Sequence, residues 1–211
     1  MLFDNVYFIN GTAYAGKSTM AKALAEKYDG ILCEENYHSR FFPELDKEEF
    51  PFLTYTQNLA DWHDFIRRTP DEYEAWIDGS AKECEKLELK ILSDLGKQGK
   101  PIFVDTNVSI ETLESISDDS HVLIMLADPQ ISVRRFFERP DPEKQFLYQL
   151  ILEEPDPEYA LENFRQCLMR INSQENYDLF LHSGFRVILR DENRSIEETL
   201  AIAEKIFGLD R

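Results

Sequence analysis

A glycine-rich stretch near the start of the chain combines residue types that can hold a phosphate. It reads Gly11-Thr12-Ala13-Tyr14-Ala15-Gly16-Lys17-Ser18-Thr19 and fits G-x-x-x-x-G-K-[ST]. An apolar run precedes it, and a predicted helix over 17–28 follows it. Glycines let backbone N–H groups curl round an anion, and a helix start adds partial positive charge. The stretch therefore predicts a phosphate-binding P-loop; the alternative is a plain glycine turn with Lys17 in solvent.

The chemistry predicted for this loop is nucleotide binding. In the P-loop pattern, the lysine reaches the β- and γ-phosphates and the hydroxyl residue binds Mg2+. Lys17 is therefore a candidate catalytic residue and Ser18 a candidate metal ligand. The whole stretch from Gly11 to Thr19 is the predicted nucleotide-binding segment.

Other polar side chains directly follow predicted strands. Glu34 and Glu35 follow the apolar run 31–33, Asp105 ends the run 101–105, and Asn193 comes after the run 185–189. Ligands of parallel sheets bind at the carboxyl ends of the strands. We therefore expect these residues to meet the glycine-rich stretch at one edge of the sheet, with Asn193 near the nucleotide.

Three arginines precede a segment that is bounded by prolines. Arg135 and Arg139 are four residues apart, which places them on one face of a helix. Phosphoryl transfer spreads negative charge over oxygens that a guanidinium can meet bidentately. We expect Arg135 and Arg139 to act in catalysis and Arg134 to stack on the nucleotide base. The alternative is that all three pair with surface acids.

The order of the predicted elements indicates one α/β domain over residues 1–211. Five short apolar strands alternate with helices, which is typical of a parallel sheet covered on both faces. Residues 53–68 are predicted as a helix, and a second helix begins at Pro70, bends at Gly79 and ends at Gly96. Residues 38–80 are predicted to form a helical insert, and residues 134–157 a lid.

Composition limits the partners and the location. The formal net charge is −18, from 41 acidic and 23 basic residues, and such a balance repels nucleic acids and anionic membranes. Cys33, Cys84 and Cys167 are scattered, as expected for reduced thiols in a cytoplasm. No apolar run approaches the roughly 18 residues of a membrane span, and no basic leader is evident. We expect a cytoplasmic protein without nucleic-acid or membrane partners.

With these motifs in place, the chain resembles the small P-loop kinases: nucleoside and nucleoside-monophosphate kinases, shikimate kinase and their relatives. The resemblance implies a three-layer sandwich with a five-stranded parallel sheet in the order 2-3-1-4-5. It also implies ATP and Mg2+ as cofactors. Asp105 matches the position of a Walker B acid, which holds Mg2+, usually through water. Arg139-Pro140 resembles the arginine-proline of the lid in shikimate and adenylate-type kinases.

The segment Glu35-Asn36-Tyr37-His38 resembles the one that follows the second strand in uridine-kinase-like enzymes, with glutamate where aspartate is usual. A carboxylate there would orient the acceptor hydroxyl or accept its proton. Glu35 is the candidate for that role and Glu34 competes with it. His38 is expected at the surface or against another ring.

The predicted function is an ATP-dependent transfer of the γ-phosphoryl group to a small molecule, with nucleosides and nucleotides as the favoured acceptors. The insert should hold the acceptor, and its candidate wall residues are Tyr55, Gln57, Trp62, Arg67 and Arg68. No acceptor motif is recognisable there. Two alternatives remain open: an ATP-binding regulatory protein or switch with weak hydrolysis, and a kinase of a shikimate-like acid, a sugar or a drug.

Overall fold

The centre of the fold is a sheet of five parallel strands. The structure is a computed structural model and describes residues 3–210. The strands are β1 (Val6–Gly11), β2 (Ile31–Cys33), β3 (Ile102–Asp105), β4 (Val122–Leu126) and β5 (Arg186–Leu189). They are hydrogen-bonded in the order β2-β3-β1-β4-β5. The predicted α/β class, the five-stranded parallel sheet and the strand order are therefore confirmed.

Helices connect the strands in the alternating pattern that the sequence predicted. They are α1 (Lys17–Lys27), α2 (His63–Ile66), α3 (Pro70–Gly96), α4 (Ile110–Ile116), α5 (Pro129–Arg135), α6 (Pro142–Glu153), α7 (Pro157–Ile171), α8 (Gln174–Leu181) and α9 (Ile196–Phe207). Short 3-10 turns lie at Ser39–Glu44, Tyr55–Asn58 and Phe136–Glu138. None of the helices within residues 3–210 combines the length and the apolar character that a bilayer crossing requires.

The sheet is buried on both faces because successive residues of a strand point to opposite sides. Phe8 and Val104 pack on one face with Leu92 of α3. Their neighbours Ile9 and Phe103 belong to the opposite face. The packing partners on that second face are Met20, Leu24, Ala203 and Phe207, from α1 and α9. Full burial of one such large apolar side chain stabilises the fold by roughly 1.5–3 kcal/mol.

A separate core holds the helices beyond the sheet. Phe65, Tyr73, Ile151 and Phe164 are buried together, and they come from α2, α3, α6 and α7 in turn. The predicted insert and the predicted lid therefore share one hydrophobic cluster. This cluster packs α2 and α3 against α6 and α7.

The predicted helix over residues 53–68 is wrong. The structure has the 3-10 turn Tyr55–Asn58 and the single-turn helix α2 there instead. The Asn58 side-chain amide donates to the Thr54 carbonyl at 2.8 Å, and this carbonyl is the one that the Asn58 backbone N–H would use in an α-helix. Such local bonds compete with helix formation.

Helix α3 continues through Gly79, where the sequence suggested a bend. The ring of Phe52 lies directly on this glycine, since a Cβ at position 79 would stand 2.5 Å from it. Gly79 therefore marks a close contact between the insert and α3. The start of α3 is as predicted, with Thr69 as the cap and Glu72 completing a capping box.

The proline-rich stretch after Arg139 contains a helix that the sequence did not predict. Pro142 occupies the first turn of α6, where a missing N–H costs nothing, and the Asp141 carboxylate accepts the Glu143 N–H. The prolines therefore mark helix starts and do not exclude helix between them. Helix α8 was also not predicted.

Candidate active site

The first turn of the glycine loop, which we define as residues 11–19, requires glycine at its start. Gly11 has a φ of +127°, and a Cβ there would stand 1.9 Å from the Met125 carbonyl oxygen. Thr12 then fastens the loop to the end of β4: its hydroxyl accepts the Ala127 N–H at 2.7 Å and donates to the Ala127 carbonyl at 3.2 Å. The loop is held against the carboxyl edge of the sheet by these contacts.

The far end of the glycine loop opens the N-terminus of α1. Gly16 has a φ of +96° and takes the capping position without a side-chain hydrogen bond. Among residues 3–210, every other helix longer than one turn has a side chain that caps its first N–H groups. The start of α1 therefore presents free N–H donors and the positive end of its dipole to the loop.

Lys17, Ser18 and Asp105 lie together beneath the glycine loop. The Ser18 hydroxyl donates to Asp105 Oδ2 at 2.6 Å, and Lys17 Nζ lies 3.8 Å from Asp105 Oδ1. Lys17 Nζ also donates to the Thr12 carbonyl at 3.3 Å. Lys17 is 7% exposed and Asp105 1% exposed. The structure thus brings three of the predicted residues together, with Lys17 and Asp105 buried and Ser18 exposed.

Asp105 is a costly residue for the fold. Burial raises the pKa of its carboxyl group, and the charges of Glu35 and Glu88 act in the same direction, while Lys17 and Ser18 oppose the rise. Its Oδ1 is buried and makes no hydrogen bond. A buried oxygen without a hydrogen bond is unfavourable unless something else binds it. The pair of hard oxygens on Asp105 and Ser18 fits Mg2+, which commonly takes one or two protein ligands and completes its shell with phosphates and water.

A cavity of about 250 Å3 lies over the glycine loop, and we call it the loop cavity. Glu35, Arg139 and Arg190 form its walls together with loop residues 13–19. The expected meeting of Glu35 and Arg139 with the loop is therefore present in the structure. Glu34 does not line this cavity. Arg190 directly follows β5, and residues 190–193 were expected at this edge of the sheet for that reason, although no catalytic role was predicted for Arg190.

Tyr14 connects the loop to Arg135 and Arg139, at the start of the predicted lid. The guanidinium of Arg139 lies 3.9 Å from the centre of the Tyr14 ring, and the Tyr14 hydroxyl donates to the Arg135 carbonyl at 2.6 Å. Arg190 donates to the Tyr14 carbonyl. Tyr14 holds a φ of +64°, which is unusual for a residue other than glycine. Tyr14, which occupies one of the four variable positions of the motif, therefore positions Arg139 and Arg190.

A second cavity, of about 280 Å3, adjoins the other side of the loop, and we call it the edge cavity. Met20, Met125 and Ile188 contribute apolar lining, and the charged residues of its wall are Arg190, Asp191, Glu192 and Arg194. The edge cavity lies next to the loop cavity, with which it shares Arg190 and part of the loop. A mixed apolar and charged lining suits a flat, partly polar group such as a nucleobase.

Six of the predicted site residues line neither cavity: Gly11, Thr12, Asp105, Arg134, Arg135 and Asn193. Arg134 pairs with Asp128 at 3.5 Å, and the Arg135 side chain pairs with Glu138 at 2.8 Å. The Asn193 backbone N–H donates to Asp191, and its side chain lines neither cavity. Arg135 contributes its carbonyl to Tyr14 instead of its guanidinium to the loop cavity. Arg134 and Arg135 therefore follow the alternative prediction, in which these arginines pair with surface acids.

A buried polar network lies behind Asp105, and sequence reasoning did not identify it. Glu88 of α3 is fully buried and accepts the Thr106 hydroxyl at 2.6 Å. His38 is 3% exposed and lies against the Phe42 ring, so the second of its two expected positions is confirmed. Its Nδ1 lies 3.0 Å from Glu88, and its Nε2 lies 3.3 Å from Cys84 Sγ. The available signal was Glu88 itself, an acid on the apolar face of α3. The network ties the segment after β2 to the end of β3.

Comparison with known proteins adds no family. A scan of the chain against protein-family models matched none of them, and a search of curated proteins found no match. The argument for function therefore depends on the residues and the geometry of the loop and its two cavities.

Proposed function

We propose that this protein is an ATP-dependent phosphotransferase that moves the γ-phosphoryl group of ATP to a small molecule. The observation that carries the proposal is the contact of Lys17 and Ser18, at the end of the glycine loop, with Asp105, in which Lys17 and Asp105 are buried. Burying an acid and a lysine costs free energy, so a merely structural role gives a poor account of them. Phosphates and a divalent cation between them would satisfy both charges.

Each part of the nucleotide has a matching surface in this proposal. The triphosphate would follow residues 11–19, with the uncapped start of α1 and Lys17 as donors. The base would occupy the edge cavity, on Met20, Met125 and Ile188. Ser18 and Asp105 would hold Mg2+, which supplies charge neutralisation and orientation of the phosphates.

The acceptor would approach from the side of Glu35. As its hydroxyl oxygen attacks the γ-phosphorus, the hydroxyl proton would pass to the Glu35 carboxylate, and the bond to the ADP oxygen would break. Arg139 and Arg190 would face the charge that spreads over the transferred group. The lid side of the cavity would exclude water, which otherwise competes with the acceptor.

The test is phosphoryl transfer from radiolabelled ATP to a panel of nucleosides, nucleotides, sugars and small acids. Lys17→Ala should abolish transfer, because the phosphates lose their main cation. Lys22→Ala is the matched control: Lys22 lies on the same helix, is exposed and pairs only with Glu26 at 4.0 Å. The control should keep its full rate and both variants should melt cooperatively.

Two outcomes would contradict the proposal. Tight ATP binding without transfer to any acceptor in the panel would favour the regulatory protein or switch. Near-normal transfer by Lys17→Ala would remove the glycine loop from the chemistry altogether.

A further inference from the structure

An open cavity that the nucleotide does not need lies among the helices and turns beyond the sheet. Its volume is about 470 Å3, and we call it the insert cavity. Its walls include the aromatic residues Phe52, Tyr55 and Trp76 and the arginines Arg67 and Arg68. The proposed nucleotide surfaces use none of these residues.

Arg68 is the unusual member of this set. Its guanidinium lies 4.0 Å from the centre of the Tyr55 ring, 5.0 Å from Phe65 and 5.2 Å from Trp76. Its Nη1 is buried and makes no hydrogen bond. Its backbone is fixed, since its carbonyl accepts Asn163 Nδ2 at 2.8 Å. A cation is therefore held in place against aromatic faces with its donors unused.

The other charged groups of the insert cavity have partners or lie apart from Arg68. Arg67 pairs with Glu154 at 2.9 Å, and Glu72 is engaged in the capping box with Thr69. The hydrogen bonds from Thr69, and after them the positive charge of Arg68, lower the pKa of the Glu72 carboxyl group. Asp64 also lines the cavity, yet no carboxylate oxygen within residues 3–210 lies within 4.0 Å of a nitrogen of Arg68. The charge of Arg68 is thus without an ion-pair partner in the described part of the chain.

A comparison among arginines makes this lack of a partner informative. In the described residues, Arg68, Arg139 and Arg194 are the half-buried arginines, and Arg194 pairs with Asp191 at 3.9 Å. Arg68 and Arg139 share one arrangement: each lies about 4 Å from a tyrosine ring, at 4.0 Å and 3.9 Å, and each lines a cavity. Because the chain has 41 acidic residues, carboxylate partners are abundant. Because Arg68 and Arg139 have no carboxylate partner among the described residues, both guanidinium groups are available to an anion.

We propose that the insert cavity binds the acceptor of the phosphoryl group through an anionic group, phosphate or carboxylate, on Arg68. Tyr55, Phe52 and Trp76 would contact the apolar or planar body next to that anion. The inference rests on the proposed kinase function, because it names the class of acceptor. Along α3, Trp76 lies about 18 Å from Glu88. Glu88 accepts a hydrogen bond from Thr106, the residue after Asp105, so this distance approximates the separation of the insert cavity from the glycine loop. An acceptor that reaches both sites in this conformation is elongated.

The experiment measures binding by the fluorescence of Trp76 and needs no nucleotide. The chain has two tryptophans, Trp62 and Trp76, so Trp62→Phe provides a host protein in which all tryptophan fluorescence comes from Trp76. The probes are phenyl phosphate, benzoate and the neutral benzyl alcohol, added at constant ionic strength. Binding of a probe at the glycine loop would leave the Trp76 signal unchanged.

In the host protein, phenyl phosphate or benzoate should give a saturable change, and benzyl alcohol should bind about tenfold more weakly or worse. The tighter of the two anions identifies phosphate or carboxylate as the natural group. Arg68→Gln should weaken the anions to the level of the alcohol, and Arg68→Lys should bind them with intermediate affinity, since it keeps the charge without the fork. Arg165→Gln, an exposed arginine of α7 outside the cavities, is the charge-matched control and should bind as the host does.

The inference is overturned if neither anion changes the Trp76 signal of the host, or if Arg68→Gln binds the anions as tightly as the host while it melts at a similar temperature. Either result would make Arg68 a packing cation of the aromatic cluster. Neither depends on phosphoryl transfer, so a failure here is separate from a failure of the kinase proposal. Transfer to neutral acceptors only, with anion binding absent, would retain the kinase and reject the anionic acceptor.

Discussion

At the scale of single residues, Arg139 shows how a side chain can be made available to a ligand. It has no carboxylate partner among the described residues, and its guanidinium lies on the ring of Tyr14. Its neighbours Arg134 and Arg135 are both neutralised by nearby acids. The three arginines are equivalent in sequence, and only their surroundings separate them.

Arg139→Ala should lower phosphoryl transfer by at least about a hundredfold, because an arginine that stabilises the transferring group contributes about 10³ or more to the rate. The melting temperature should change little, since the side chain makes no ion pair. Steady-state transfer rates at saturating ATP are the measurement. Arg165→Ala serves as the control for loss of one surface charge. A fall in stability with an unchanged rate would assign Arg139 to packing on Tyr14.

The sequence predicted the donor side of the site from local spacing and strand ends. Lys17 and Ser18 follow from the motif, and Asp105 follows from its place at the end of a buried strand. The role of Tyr14 was not predictable, because it depends on residues of α5 and β5 that are distant in sequence. The isolation of Arg68 was also hidden, since it depends on which acids lie far from it.

At the scale of elements, α3 joins the insert to the sheet. Its N-terminal half carries the aromatic wall of the insert cavity, and Glu88 in its C-terminal half bonds to Thr106 beside Asp105. The loop around Phe52 is fixed on α3 by Glu83, by the Trp76 indole N–H on the Phe52 carbonyl, and by the close approach at Gly79. The orientation of the insert therefore depends on a few contacts along one helix.

Two glycines of α3 allow a matched test of this attachment. Gly79→Ala should destabilise the protein by about 1–3 kcal/mol, since a Cβ 2.5 Å from the Phe52 ring outweighs the gain in helix propensity. Gly96→Ala should be neutral or stabilising by up to about 1 kcal/mol, because its nearest neighbour is Asn5 Oδ1 at 3.4 Å. Thermal and urea unfolding measure both. Equal stabilisation by the two alanines would contradict the contact between Phe52 and Gly79.

The elements that the sequence predicted well are those that local pattern determines. The buried strands are short continuous apolar runs, and helices such as α3 and α9 begin at capping boxes. The failure at residues 53–68 has a different origin. Apolar residues there have helical spacing, but the segment forms short turns, and its Gln57 side chain bonds to the Phe42 carbonyl outside the segment. A pattern within the segment contains no information about that bond.

At the scale of the whole molecule, the net charge of −18 acts on a fold whose proposed ligands are anions. The cationic groups that face the loop and insert cavities, Lys17, Arg68, Arg139 and Arg190, are therefore set in a strongly negative surround. Anionic ligands would approach against this field, and the short-range donors would have to overcome it. The same excess of acid opposes the compact state itself through self-repulsion.

Salt should therefore stabilise the protein. The melting temperature should rise between about 10 mM and about 300 mM sodium chloride, with most of the rise complete near 0.15 M, where the Debye length falls to about 8 Å. Chloride is preferred to phosphate or sulfate, because those anions would bind at the glycine loop and add stability by mass action. Potassium and tetramethylammonium chloride should give the same curve if screening is the cause. A flat or falling melting temperature would mean that attractive ion pairs outweigh the repulsion among the acids. Examples of such pairs are Arg67–Glu154 and Arg170–Glu74.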